Sequence, residues 1–309
     1  MKIIKIASVI LIGILILIAV LLYNIAKNPF VPDNYTETVP TGGELEAKYI
    51  KIGPYDVSYM EYAALMSFGK YEIYYPSDIE EMGGTLPVVI FVNGTGCKGS
   101  KYQALQKHMA SWGVITVATE EEHAWNGFSA EMSVRMLEKL NNLDGEYYGK
   151  NNMFYQKIDT DNIGIVGHSQ GGFGVVNAIT DQKHKENYKS AVILSSTPSK
   201  VENDFQWEAN PSLINIPSLI IGSTGQVDSA IASLEGLQSV YDEIPNETIK
   251  VLARRNDADH GEMLYFADGY VTAWFMYWLK DDLQAGSIFF DDNAEILENS
   301  NWQDVKINK

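Results

Sequence analysis

From Pro87 onward the chain alternates between short runs that are apolar throughout and longer segments that carry apolar residues on one helical face. The short runs fall at 88–92, 114–118, 163–166, 191–194, 218–221 and 248–252, and their length and β-branched content predict buried strands. Between them, 101–112, 130–143, 172–181 and 230–243 read as helices, and 270–279 closes the series. Ahead of Pro87, residues 55–62 alternate apolar with polar and 70–75 follow as a second run, which predicts an antiparallel hairpin at a sheet edge. Strands that are apolar on both faces and separated by helices require cover on both sides. The fold class predicted is therefore α/β, a mostly parallel sheet between two helical layers.

The first residues follow a different pattern. Residues 6–23 hold no charge, and only Ser8 and Gly13 interrupt their Ile, Leu, Val, Ala and Tyr content. As a helix this run would span about 27 Å, close to the roughly 30 Å of a bilayer's hydrocarbon core. Lys2 and Lys5 precede it, which places the amino terminus in the cytoplasm and the rest outside. The run is longer than the apolar part of a secretory leader and ends at Leu21-Leu22-Tyr23-Asn24, without a small-x-small cleavage site. Residues 1–23 are thus expected to be a single-pass membrane anchor, with secretion after cleavage as the alternative. Residues 24–45, rich in Pro and Gly and without periodicity, read as a tether, and 46–309 as one catalytic domain.

Charge narrows the partners. The formal charge is −17, and the only charges among residues 1–29 are Lys2, Lys5 and Lys27, so the remainder is more acidic still. That surface excludes nucleic acid and polyphosphate as partners. Cys97 is the sole cysteine, so no intrachain disulfide can form and the core alone must stabilise an exported domain. No H-E-x-x-H motif or clustered ligand set is present, and neither a metal nor an organic cofactor is expected.

The candidate chemistry centres on Gly167-His168-Ser169-Gln170-Gly171, which reads G-x-S-x-G directly after the apolar run 163–166. A strand that turns sharply into a helix at a serine lifts the hydroxyl above the sheet edge, and the glycines relieve the crowding there. A serine hydroxyl needs a base to take its proton and an acid to orient that base. Of five histidines, His260 suits best, standing in a loop just past the last strand of the series. His168 sits inside the elbow, His108 mid-helix, His184 in a charged turn, and His123 precedes the serine. For the acid, Asp228 follows a strand and its turn, giving the chain order Ser169, Asp228, His260. Asp257, Asp259 and residues 120–122 remain rivals, and Asp228 has the plainer alternative of capping a helix. Backbone N–H groups of Gln170 and of Thr95, in the loop Asn93-Gly94-Thr95-Gly96, are the expected oxyanion donors.

With these motifs in place, the chain resembles the α/β-hydrolase superfamily. Its nearest likeness is to the branch of cutinase-like polyester hydrolases, chlorophyllase-like and dienelactone-hydrolase-like esterases. The stretches that carry the resemblance are VVIFVNGTG, HMASWGVITVATE, IGIVGHSQGG, IPSLIIGSTGQVDSAIA, YDEIPNETIKVL, DADHGEML and AWFMYWLKDD. The resemblance implies an eight-stranded sheet, no large lid, and hydrolysis of small or polymeric carboxylic esters by Ser169, Asp228 and His260. Two departures stand out: Asn93 where relatives often carry His or Pro, and an acid loop about two residues longer than usual. Trp125 and Tyr265, with Phe128 and Trp207, are candidate substrate contacts. The same three residues would also serve peptide or thioester cleavage or acyl transfer. An idle hydrolase-fold surface module is the reading from another class, against which the intact serine, histidine and glycine-bearing loop speak.

Overall fold

The computed structural model describes residues 29–200 and 207–309. A nine-stranded sheet forms the centre, built from β1 (Val57–Ala63), β2 (Lys70–Pro76), β3 (Leu86–Val92), β4 (Ile115–Thr119), β5 (Ile158–His168), β6 (Tyr188–Leu194), β7 (Ser218–Ser223), β8 (Lys250–Arg255) and β9 (Trp302–Asn308). Their spatial order is β1-β2-β4-β3-β5-β6-β7-β8-β9. Strands β3 to β8 pair in parallel, while β1–β2, β2–β4 and β8–β9 are antiparallel. The eight expected strands are all present. The ninth, β9, is an addition: its mix of Trp302, Asp304, Lys306 and Asn308 carries no apolar run, and only pairing with β8 makes it a strand.

The helices are α1 (Tyr35–Thr38), α2 (Glu44–Tyr49), α3 (Gln103–Ser111), α4 (Phe128–Asn142), α5 (Gln170–Thr180), α6 (Gln226–Ile231), α7 (Leu234–Glu243), α8 (Met263–Phe266), α9 (Asp268–Lys280), α10 (Leu283–Phe290) and α11 (Glu295–Glu298). They cover the sheet on both sides, and the strand period of two sorts side chains between the layers. Val88, Ile90 and Val92 enter the core beneath α4, α5 and α7, whereas Val89 and Phe91 face the one beneath α3, α9 and α10. The single helix expected over 230–243 is two, broken where Ser233 caps α7 by accepting a hydrogen bond from the Gly236 N–H.

The largest departure lies at 24–45, read as a tether. From Val31 on, this segment is part of the folded body: Val31 and Tyr35 are at most 1% exposed. Glu295 receives the Leu45 and Glu46 N–H groups at 2.7 and 2.8 Å, placing a carboxylate where the start of α2 is most positive. The buried Glu46 carboxylate accepts from the Gly42 N–H, Asn299 Nδ2 and Trp302 Nε1 at 2.7, 2.8 and 2.9 Å. All of these partners except Gly42 lie about 250 positions away, so local periodicity carries no sign of them.

A buried polar knot completes this docking. The Tyr35 hydroxyl donates to Asp268 Oδ2 at 2.7 Å, and His108 Nδ1 lies 2.7 Å from the same oxygen. His108 Nε2 stands 2.8 Å from the Lys51 carbonyl. Burial pulls the His108 pKa down, but the Asp268 charge and the carbonyls beside the ring outweigh it, and the net shift is upward. Among the described residues no helix is long and apolar enough to cross a membrane, and the run 6–23 lies outside them.

Candidate active site

Strand β5 passes into α5 at Ser169, whose φ of 57° and ψ of −124° are costly for any residue with a side chain. Crowding explains the flanking glycines. A Cβ on Gly167 would come within 2.2 Å of the Gly171 carbonyl, and one on Gly171 within 2.2 Å of the Val92 carbonyl. The Ser169 N–H is held by the Leu194 carbonyl at 2.9 Å, which fixes the elbow to the neighbouring strand β6. Ser169 itself is partly exposed at the carboxyl edge of the sheet.

Asp228 and His260 arrive on the loops after β7 and β8. Asp228 is fully buried, with Oδ1 2.8 Å from His260 Nδ1 and Oδ2 accepting the Ser223 N–H at 2.6 Å. It sits in the first turn of α6 but does not cap it, since the N-cap position belongs to Gly225. The rival acids are engaged elsewhere. Asp257 and Asp259 are exposed, and Asp259 takes the backbone N–H of His260 at 2.8 Å rather than its ring. Glu120 holds Ser100, and Glu121 holds the His123 N–H at 3.1 Å. The two loops are sewn together, because the Ser223 hydroxyl bonds the Ala258 carbonyl and Gly225 approaches the same atom too closely to carry a Cβ.

His168 has a place that sequence reasoning did not give it. Its Nε2 lies 2.8 Å from the His260 carbonyl, and the two rings are 4.4 Å apart. Burial, followed by the charge on His260, pushes the His168 pKa down to about 3. The ring is therefore neutral at pH 7, and a carbonyl partner requires the proton on Nε2. The residue before the serine thus braces the loop that presents His260. The sequence signal for this was only a second histidine inside the elbow.

Gln170 opens α5, so its N–H is one of those a helix leaves unpaired. Thr95 lies exposed in a turn closed by the Cys97 N–H to the Gly94 carbonyl at 3.1 Å, with Gly96 at φ 67°. This turn sits against the elbow: a Cβ on Gly94 would stand 3.2 Å from the His168 carbonyl. Asn93 accounts for the departure noted there. Its buried Nδ2 donates to the Thr119 and Glu121 carbonyls at 2.7 and 2.8 Å and pins the turn to the end of β4.

A cleft of about 260 Å³ opens beside the serine, lined by Ser169, Gln170, Phe173, Ser195, Ser196 and Trp207 among others. The proposed contacts Trp125 and Tyr265 do not line it. Trp125 and Phe128 border a separate hollow of about 700 Å³, and Tyr265 packs on Tyr35 and Phe266. Trp207 does reach the cleft, edge-on to Phe173 with ring centroids 5.8 Å apart. Among the described residues no cluster of His, Cys, Asp or Glu is suited to a metal ion.

A mostly parallel sheet covered on both faces, with a strand–serine–helix elbow at its carboxyl edge, defines an α/β hydrolase. Among the described residues no lid covers that edge. The model of the PET hydrolase-like family matches residues 33–300, and the chain belongs to that family. A bis(hydroxyethyl) terephthalate hydrolase of Streptomyces coelicolor is 26% identical over 74% of this chain and 67% of its own length. The cutinase est1 of Thermobifida alba is 27% identical, covering 79% of this chain and 76% of its own. The protein is a carboxylic ester hydrolase.

Proposed function

We propose that this enzyme cleaves esters of the polyester kind through an acyl-enzyme on Ser169, with His260 as general base and Asp228 as its orienting acid. The observation that carries the reading is the 2.8 Å contact of His260 Nδ1 with a buried carboxylate, on loops that flank a strained serine. With Nδ1–H directed at Asp228, the other ring nitrogen is left as the proton acceptor. Ser169 Oγ attacks the ester carbonyl and passes its proton to His260 Nε2. The oxyanion receives the Thr95 and Gln170 N–H groups, each such donor contributing about 2.7–4 kcal/mol of barrier lowering. Collapse expels the alcohol, which takes the proton from His260, and water then repeats the sequence on the acyl-enzyme. The open cleft and the named activities of the relatives, a terephthalate ester and cutin-type polyester, support the substrate class.

The enzyme works outside the cytoplasm in this proposal, held or exported by residues 6–23. What supports this is the uncharged run itself behind Lys2 and Lys5. Amino-terminal sequencing of the mature protein distinguishes anchor from cleaved leader.

Fluorophosphonate labelling and p-nitrophenyl ester turnover test the chemistry, on wild type and on Ser169→Ala. Wild type is expected to label and turn over, and Ser169→Ala to lose both, with kcat falling by roughly six orders of magnitude. Labelling that survives the substitution assigns the nucleophile elsewhere. Absence of both from wild type favours an idle binding module.

A further inference from the structure

The two arginines that close β8 are held in opposite ways. Arg254 pairs with a carboxylate, its Nε and Nη2 lying 2.8 and 2.7 Å from Asp304 Oδ2. Arg255 is 2% exposed, and among the described residues it forms no ion pair. Its guanidinium donates instead to two main-chain carbonyls, from Nη1 to Asn301 at 3.0 Å and from Nη2 to Pro40 at 2.7 Å. It also lies over the rings of Phe266 and Trp302, 5.5 and 5.8 Å from their centroids. The buried Nε has no hydrogen-bond partner among the described residues. A cation in such a place is costly, because it has given up water and no carboxylate touches it. Burial lowers its pKa, and the charges of Glu46 and Asp257 do not make up the loss. A long apolar side chain would pack against the same two rings without that cost. What only arginine supplies is a flat fork that donates in two directions while stacking on aromatic faces.

Arg255 ends β8 and opens the loop that carries His260, and Phe266 ends α8 just after that loop. The guanidinium on the Phe266 ring therefore closes the loop across its two feet. Pro40 belongs to the amino-terminal segment and Asn301 immediately precedes β9, so both ends of the domain hold the same group. The Asn301 carbonyl also takes the Asn256 N–H at 2.8 Å. From this foot the contacts run on to the loop of Asp228. The Thr224 N–H donates to the Arg255 carbonyl at 2.9 Å, and the Asp257 N–H to Thr224 Oγ1 at 3.0 Å. Arg255 itself does not line the cleft, and its side-chain contacts include none of Ser169, Asp228 and His260. We propose that Arg255 is a positioning residue for the general base: it fixes the loop of His260 so that the imidazole stays aligned on Asp228 and on the serine. It has the amino-terminal segment as its support, since Pro40 supplies one of its two acceptors. The inference rests on His260 as the base, the reading given above. A base displaced by about 1 Å loses on the order of a hundredfold in rate, so a side chain outside the cleft reaches kcat this way.

Steady-state kinetics of the full chain on p-nitrophenyl butyrate test it, at a temperature where circular dichroism shows each variant folded. Arg255→Met is expected to lower kcat by about thirtyfold or more, with KM within about twofold. Arg255→Lys, which keeps the charge and a donor, should recover part of that loss. Arg254→Met breaks the neighbouring pair with Asp304 and should leave kcat within about twofold. The deciding measurement is Arg255→Met in an Asp228→Asn background, where His260 already holds the wrong tautomer. There the further loss should shrink to about threefold or less, whereas a merely structural role costs the same factor in both backgrounds. An undiminished factor overturns the inference, as does wild-type kcat in folded Arg255→Met. Should Arg255→Met not fold, Arg255→Lys carries the same cycle, with an expected loss of about tenfold. Full activity in Asp228→Asn overturns the triad reading and the inference with it. Loss in Asp228→Asn beside a normal Arg255→Met strikes the inference alone.

Discussion

Two His–Asp pairs in this molecule share nearly the same spacing and differ in everything else. His260 Nδ1 stands 2.8 Å from Asp228, and His108 Nδ1 stands 2.7 Å from Asp268. The His260 side chain keeps 16% of its surface exposed, and among the described residues no hydrogen bond engages its remaining ring nitrogen. His108 is fully buried, and its Nε2 is spent on the Lys51 carbonyl. Proximity of an imidazole to a carboxylate therefore does not make a base. In the proposed mechanism the reachable second nitrogen of His260 serves as the base, whereas an imidazole buried with its Nε2 spent on a carbonyl, like His108, becomes a fastening.

The sharpest way to break this contrast is to neutralise each acid in turn. Asp228→Asn is expected to lower kcat by about four orders of magnitude, since the amide favours the wrong tautomer of His260. Asp268→Asn should leave kcat for p-nitrophenyl esters within about a few fold, because its histidine touches no reacting atom. Steady-state kinetics on the two proteins decides it, and a large loss of kcat in folded Asp268→Asn would erase the distinction.

Stability should show the reverse ranking. Asp268→Ala removes one partner of a buried pair and is expected to cost about 3–5 kcal/mol in urea unfolding of a form that begins near Val31. A cost below about 1 kcal/mol would mean that the knot around His108 holds nothing together.

The smallest effect is in pH, and its sign separates His108 from His168. The folded pKa of His108 is raised, so its contribution is complete below the ordinary histidine range near 6.5 and is lost as pH rises through the folded value. His168 goes the other way: with its pKa pushed from 6.5 to about 3, the unfolded chain binds the extra proton, and stability falls as pH drops between those values. The advantage of wild type over Asp268→Asn should therefore shrink as pH rises above about 6.5, and His168→Gln should flatten the acid limb of the stability profile.

What the sequence makes legible follows the same division. The apolar strands β3 to β8 and the elbow announce themselves because their signals are local: a run, a motif, a chain order. Asp228, the proposed acid, is singled out by order rather than composition, since a strand end followed by a helix sets where a carboxylate can meet the next loop, and its Oδ1 lies 2.8 Å from His260 Nδ1. The docking of 31–50 is invisible beforehand, because Glu46 and Asp268 find their partners hundreds of residues away. The ninth strand has no apolar run, and its pattern makes sense only with β8 beside it. Trp125 and Tyr265 qualify as large aromatic residues in loops after strands, and that rule does not say into which hollow a ring turns. Trp207 meets the same rule and does reach the cleft.

The clasp between the start and the end of the domain has a mechanical consequence. A pull applied at Val31 meets in turn the Tyr35–Asp268 bond, the Pro40 carbonyl held by Arg255, and the bonds of Glu46 to Asn299 and Trp302 and of Glu295 to the α2 N–H groups. Load enters through several such contacts rather than by peeling one strand off an edge. An enzyme held at its amino-terminal side and dragged across a solid would then load this clasp, and Asn301, which receives Arg255 Nη1 and the Asn256 N–H, would pass that load to the base of the loop that carries His260.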